Sequence, residues 1–146
     1  QFKVYLCGGG GGRGLDYPFG EGEIGHGGRG GISPLCSKII TGQETGTTFT
    51  ITIGAAGTQG NNGGTSTFGA LLTSNGGQAG QNSSGSEFTF SGDRGSHNGQ
   101  IAHSNELFLK VGNTSKSWGQ GYGTGGIINI DNQDLPAVDG ICVIEW

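Results

Sequence analysis

The chain has 146 residues, of which 35 are glycine, and it carries a formal net charge of −4 at pH 7. Charged residues make up only 12% of it, so it lacks a basic surface that could follow a phosphate backbone, and no nucleic-acid partner is expected. No apolar stretch approaches the roughly 18 residues of a membrane-spanning helix, so membrane insertion by such a segment is not expected. The length favours a single domain over residues 1–146.

Glycine content of this order suggests either collagen or disorder, and the sequence fits neither. A Gly-X-Y period is not sustained and there are only 3 prolines, which excludes collagen. Several regular apolar segments argue against disorder of the whole chain. Glycine inside regular structure costs roughly 0.5–1 kcal/mol relative to alanine, so a folded chain must use it where side chains cannot fit.

In chain order, short runs rich in β-branched and aromatic residues predict the strands. They lie near residues 2–7, 36–41, 47–53, 65–72, 86–90, 106–111, 127–130 and 140–146. Thr45-Gly46, Asn98-Gly99 and Asp139-Gly140 have the composition of chain reversals. No window shows a helical period. The pattern therefore predicts an all-β, sandwich-like single domain in which the N- and C-terminal strands are adjacent.

Glycine-rich tracts at 8–31, 54–80 and 112–126 separate these strands. Within 25–31, glycine recurs with a period of three and occupies two faces of a three-residue turn, leaving His26 and Arg29 on the third. This period is typical of polyproline II-type helices, which have no internal hydrogen bonds and can pack closely where glycine permits. The tracts are thus either packed polyglycine-type helices or flexible loops.

Three cysteines, Cys7, Cys36 and Cys142, allow one disulfide in three pairings. If the first and last strands pair antiparallel, Cys7 falls near Cys142 and Tyr5 near Ile144, which makes Cys7–Cys142 the candidate bridge. The alternative is that all three are small buried thiols.

Known catalytic and metal-binding patterns are absent from the sequence. Gly121 to Gly126 matches G-x-G-x-x-G, but no helix follows it, and such a match arises by chance in a chain this rich in glycine. The 3 histidines and 3 cysteines lack metal-ligand spacing, and no nucleophile elbow is present. We therefore expect no enzyme activity, no metal and no cofactor.

The remaining polar and aromatic residues suit carbohydrate, which is bound by flat aromatic faces together with planar amides and carboxylates. Trp118, Gln120 and Tyr122 lie on one glycine-rich segment. The other candidates form two polar clusters, Asp93, His97 and Asn98 in one and Asp131 and Asn132 in the other. The alternative for Trp118 is that it packs in a core that has few large residues.

The order of features resembles glycine-rich β domains at the tips of bacteriophage tail fibres and related secreted lectin-like proteins. Three elements carry the resemblance: the strand and glycine run Phe2 to Gly12, the Thr/Ile segment Thr47 to Gly57, and Gly63-Gly64-Thr65-Ser66-Thr67-Phe68-Gly69. A closing apolar strand, 140–146, completes it. The resemblance implies layered polyglycine helices with exposed loops that contact cell-surface glycan or protein. The cysteines depart from that pattern.

The sequence thus predicts a non-enzymatic lectin- or adhesin-like module that binds cell-surface glycans and acts as a homo-oligomer. Low charge and the absence of methionine favour an extracellular location, secreted or on a virion. The alternative is a structural fibre-tip or assembly module without sugar binding. Ice binding is disfavoured because His26, Arg29 and Tyr17 interrupt a flat surface.

Overall fold

The computed structural model describes residues 1–20, 23–83, 123, 125–128 and 134–146. Within these ranges there are only short strands, which confirms the all-β prediction. In chain order they are β1 (Phe2–Cys7), β2 (Tyr17–Gly20), β3 (Glu23–Gly25), β4 (Leu35–Ile40), β5 (Ile51–Thr52), β6 (Ser66–Phe68), β7 (Leu72–Ser74), β8 (Ile127–Ile128), β9 (Asp134–Leu135) and β10 (Ile141–Glu145). No helix long and apolar enough to cross a membrane is found in the part of the chain so described.

Strand β1 is the centre of the main sheet, whose order is β10-β1-β4 with both neighbours antiparallel. The first and last strands are therefore adjacent, as predicted. A second sheet, in the order β5-β6-β7, packs against one face of the first. Between the two sheets lies a small core of Val4, Ile40 and Phe68, all at most 4% exposed. Alternation along β1 places Val4 on the inner face with Phe2, because the side-chain period of a strand is two, and Ile40 of β4 pairs with Phe2 on the same face.

Beyond Cys7 the chain leaves the sheet and continues as a straight glycine segment, residues 8–14, which is buried along its whole length. Its backbone hydrogen bonds go to six other segments. These are 27–31, 54–58, 61–64, 76–81, 137–140, and Gly123 with 125–126. Gly9 and Gly12 both donate to the 61–64 segment, and Gly11 and Gly14 both donate to the 27–31 segment. The three-residue repeat is that of a polyproline II-type helix, which bonds only to its neighbours.

The six outer segments also bond to one another and close a ring around the central one. The bonds between successive segments are Gly64 N to Ala55 O, Gly63 N to Gly77 O, Gly31 N to Gln78 O, Gly30 N to Gly126 O, Gly123 N to Asp139 O, and Gly140 N to Gly54 O, at 2.7 to 2.9 Å. We call these seven segments the glycine array. It confirms polyglycine-type helices, and it shows residues 27–31 as a packed helix rather than a loop.

Close approach of backbones explains why the array needs glycine. A Cβ atom placed on Gly12 would lie 1.8 Å from the carbonyl oxygen of Thr58, and one on Gly30 would lie 1.9 Å from that of Gly11. Both obstacles are backbone atoms of neighbouring segments, which cannot turn aside as a side chain can. Substitution at these sites therefore requires the segments to separate.

Three buried serines join the sheets to the array. Ser33 and Ser74 both accept a hydrogen bond from the Gly8 amide, at 2.7 and 3.0 Å. Ser66 accepts one from Gly54 N and donates one to Cys7 O, each at 2.8 Å. All three are at most 1% exposed. They satisfy backbone groups at the point where the sheet ladder ends and the array begins, since an unpaired buried N–H is costly.

Five details differ from the sequence prediction. The strand predicted at 47–53 is reduced to β5, Ile51–Thr52. Residues 65–72 form not one strand but the β6–β7 hairpin, with Gly69 at φ 51 in its turn. The hairpin β2–β3 was not predicted, because Pro18 and the surrounding glycines argue against a strand. The β8–β9 pair also includes an unpredicted strand. The reversal expected at Asp139-Gly140 is instead an array segment leading into β10. Predicted strands 86–90 and 106–111 and the Asn98-Gly99 turn lie outside the described residues.

The Cys7–Cys142 bridge is not formed, and all three cysteines are thiols. The observed register pairs Cys7 with Ile141 and Leu6 with Cys142, one residue away from the expected alignment. A slip of one residue turns every side chain to the other face. Cys142 therefore shares the face of Leu6, whereas Cys7 points to the opposite side, and burial raises the pKa of its thiol to about 11.

Candidate functional site

A pocket of about 320 Å³ opens at the end of the sandwich where β1 begins and β10 ends. We call it the aromatic pocket. It is lined by Gln1, Phe2, Ile40, Gln43, Glu44, Thr45, Gly46, Thr47, Phe49, Phe68, Ile144 and Trp146. It lies away from the array, because β1 runs from the pocket toward the glycine segment that follows Cys7.

The apolar wall of the aromatic pocket is a cluster of four rings. Phe49 and Phe68 are stacked, with centroids 4.9 Å apart and planes at 29°. Phe2 meets both edge-on at about 6 Å, which is a favourable geometry for aromatic pairs. Trp146 lies against Phe2 with centroids 5.3 Å apart, yet it remains 90% exposed. The inner rings thus support an indole that still offers most of its surface to a ligand.

Strand phase explains the position of Trp146. The register pairs Lys3 with Glu145, so the next pair outward is Phe2 with Trp146. Phe2 lies on the inner face with Val4, and Trp146 continues the face of Ile144. Trp146 directly follows the last residue of β10, so its side chain lies on the core-facing side of the sheet but at the edge of the core.

The polar rim comes from the segment between β4 and β5. There Thr47 donates from its amide and its hydroxyl to Glu44 O, at 3.1 and 2.8 Å, which closes a turn. Gly46 takes the positive φ of 92 that this turn requires. The turn contributes Gln43, Glu44, Thr45 and Thr47 to the pocket lining, which together carry an amide, a carboxylate and two hydroxyls.

The side chains of the pocket combine hydrogen-bonding groups with aromatic surface. Its described lining holds amides, hydroxyls, one carboxylate and aromatic rings. No group of three or more His, Cys, Asp or Glu side chains is placed to hold a metal ion within the described ranges. A flat exposed ring beside hydrogen-bonding groups is the combination that a sugar ring requires.

A second, charged cluster lies at the other end of the array. Arg13, 8% exposed, donates to Asp16 and, at 3.1 Å, to Asp134. Asp16 Oδ1 also accepts from Gly27 N at 3.0 Å and lies 3.5 Å from His26 Nδ1. Partial burial raises the pKa of Asp16, but the Arg13 hydrogen bond and charge, the Gly27 amide and the His26 charge together lower it below its usual value.

The same balance holds for Arg13. Burial lowers its pKa, whereas the hydrogen bonds and charges of Asp16 and Asp134 together raise it. The cluster therefore favours the ionised forms of Arg13 and Asp16 and neutralises a buried cation. These contacts give Arg13 a structural role, because they link the end of the central array segment to Asp16 and Asp134.

The predicted sugar-binding residues cannot be placed. Trp118, Gln120, Tyr122, Asp93, His97, Asn98, Asp131 and Asn132 all lie outside the described residues. His26 and Arg29 are half-buried while Gly25, Gly28 and Gly31 are buried, as the three-residue period predicts. Sequence reasoning missed the aromatic pocket because Phe2, Phe49 and Trp146 sit in strand-like segments. One sequence feature could have indicated the pocket: Trp146 directly follows the last strand, β10, and is in line with the side chains of that strand that face the core.

Comparison with known proteins gives one match. A family model described as a glycine-rich domain covers residues 1–146, the full length that contains both the sandwich and the array. No curated protein and no solved structure matches the chain significantly. The chain belongs to this glycine-rich domain family.

Proposed function

We propose that this domain is a non-enzymatic carbohydrate-binding module that recognises a cell-surface glycan through the aromatic pocket. The observation that carries the proposal is Trp146, which is 90% exposed and supported from behind by Phe2. A tryptophan so exposed is unusual, since large aromatic side chains gain most from burial. A sugar ring placed on the indole would cover it, and the ring hydroxyls would meet the amides and hydroxyls of the rim.

The geometry favours modest affinity at each site. The pocket volume of about 320 Å³ is near the lower end of ligand sites, so it suits one or two sugar rings. Useful avidity on a cell surface would then come from several copies displayed together, because linked sites raise the effective concentration. An extracellular, oligomeric recognition module, like the tail-fibre tips that the sequence resembles, fits these requirements.

A glycan array probed with a multivalent display of the folded protein tests the proposal. We expect binding that Trp146→Ala abolishes and that Ile39→Ala leaves intact. Ile39 is the matched control because it is also an exposed apolar residue, 57% exposed, and does not line the pocket. Trp118→Ala and Tyr122→Ala test the site predicted from sequence. Absence of binding to every glycan by folded, multivalent protein would overturn the proposal.

A structural or assembly module is the second candidate, and the closed glycine array favours it. The central segment bonds to six neighbours, so the array is built for rigidity. If this is the function, the protein should bind no sugar and should form defined polymers or cap a longer fibre. Light scattering coupled to size exclusion, followed by electron microscopy, distinguishes polymers from discrete oligomers.

A further inference from the structure

We infer that the aromatic pocket selects sugars that carry a free protonated amine over neutral, N-acetylated and acidic sugars of the same ring. The inference rests on the proposed function and names the ligand class of the same site. It follows from the charges and rings that the pocket presents.

Among the described residues that line the pocket, Glu44 is the only one with a charged side chain. It is exposed, its main-chain oxygen closes the Thr47 turn, and its carboxylate has no ion-pair partner in the described part of the chain. An ammonium group that enters the pocket therefore meets a carboxylate that is not already neutralised. Such a pair lies near solvent and contributes modestly to affinity.

The rings add a second attraction of the same sign. The faces of aromatic rings carry a partial negative charge, and a cation within about 6 Å of a ring centroid is attracted, most strongly by tryptophan. Trp146, which is 90% exposed, and the half-buried Phe2 and Phe49 line the pocket, whereas Phe68 is buried and stacks on Phe49. An amine held between Glu44 and the indole of Trp146 would be attracted by both.

An acidic sugar meets the opposite conditions. Its carboxylate would approach Glu44 and the partly negative face of the Trp146 ring, and the described part of the lining includes no lysine or arginine side chain to offset them. Like charges across a binding surface reduce affinity and select against the wrong partner. The net charge of −4 on the chain adds a weak long-range bias in the same direction.

Calorimetric titrations with glucosamine, glucose, N-acetylglucosamine and glucuronate test the inference, since these ligands share one pyranose ring. We expect glucosamine to bind about threefold to tenfold more tightly than glucose, because an exposed ion pair contributes modestly to affinity and a cation–π contact adds to it. N-acetylglucosamine should lose this advantage, and glucuronate should bind most weakly. The advantage should shrink as salt is added.

Glu44→Gln is the decisive variant. It keeps the shape of the rim and its hydrogen-bonding capacity, so glucose affinity should remain and the preference for glucosamine should fall. Trp146→Ala should weaken all four ligands, and Ile39→Ala should weaken none. Equal or tighter binding of glucuronate, or a glucosamine preference that survives Glu44→Gln, would overturn the inference while leaving sugar binding intact. Failure of all four sugars, with no glycan bound on the array, would overturn the proposed function itself.

Discussion

At the scale of single residues, Arg13 shows how a buried charge is accommodated in a glycine segment. It is the one residue with a side chain between Gly8 and Gly14, and that side chain leaves the array to reach Asp16 and Asp134. A buried guanidinium without partners would be costly, so the carboxylates are part of the fold. Asp16 contributes more than Asp134 to stabilising this cluster, because it accepts hydrogen bonds from both Arg13 and the Gly27 amide.

This assigns a pH dependence to Asp16. Its pKa is lower in the folded protein than the ordinary value of 3.8, so its stabilisation is fully present above that value. It is lost as the pH falls through the lower, folded-state pKa. Asp16→Asn should reduce stability at neutral pH by about 1–3 kcal/mol, because the amide oxygen can still accept a hydrogen bond but no longer carries the charge that neutralises the buried Arg13. The variant should also unfold less steeply with acid, which melting curves followed by circular dichroism as a function of pH can measure.

Asp134→Asn is the control for this prediction. The side chain of Asp134 is 61% exposed, so solvent can replace its bond to Arg13 and the loss of stability should be smaller. If Asp16→Asn and the original protein lose melting temperature in parallel as the pH falls, Asp16 is not the group responsible.

At the scale of elements, the strands could be predicted from sequence and their alignment could not. β1, β4 and β10 follow from apolar runs with a period of two, and their observed bounds lie within one residue of the prediction. The register depends on contacts between segments far apart in the chain, which local sequence patterns do not show. The predicted alignment of β1 and β10 was therefore wrong by one residue, which placed Cys142 opposite Cys7 instead of Leu6. The junction serines Ser33, Ser66 and Ser74 gave no signal, because their role exists only once Gly8 and Gly54 have been brought to them.

The array was predictable only in part, for the same reason. The three-residue period of glycine at 25–31 indicated the helix type, but not that seven segments would close around residues 8–14. The aromatic pocket shows the same limit, since Phe2 and Trp146 meet only through the pairing of the two end strands. Local patterns predicted the elements, and long-range pairing decided the site.

Glycine is needed in this protein for two separate reasons, and paired substitutions distinguish them. In the array, Gly12→Ala places a Cβ 1.8 Å from a backbone oxygen and should prevent folding or sharply lower the melting temperature. At Gly42, φ is +70 and a Cβ would meet nothing within 4 Å, so Gly42→Ala costs only the left-handed strain of about 1–2 kcal/mol. Soluble yield and thermal melting of the two variants provide the measurement. Equal stability of both would show that the array tolerates side chains.

At the scale of the whole molecule, the sandwich and the array are one continuous structure. β1 becomes the central array segment at Gly8, and the ring segment 137–140 leads into β10. The described array segments bond to one another and show no hydrogen bonds within a segment, so none is stable when separated from its neighbours. The ring cannot lose one member without exposing backbone groups of the central segment. Array and sandwich should therefore unfold together rather than as separate units.

Hydrogen exchange measured by NMR tests this cooperativity. The amides of Gly9, Gly11, Gly12 and Gly14 are buried and bonded to the ring, and those of Val4 to Cys7 lie in the central strand of the main sheet. If unfolding is a single event, both sets should exchange slowest, with opening free energies that agree within about 1 kcal/mol and equal the global stability. The Thr47 amide, in an exposed turn, should exchange much faster and serves as the internal reference. Glycine amides that open several kcal/mol more easily than those of β1 would show that the array unfolds alone. In that case the glycine array and the sandwich would unfold independently, and the buried serines between them would not couple their unfolding.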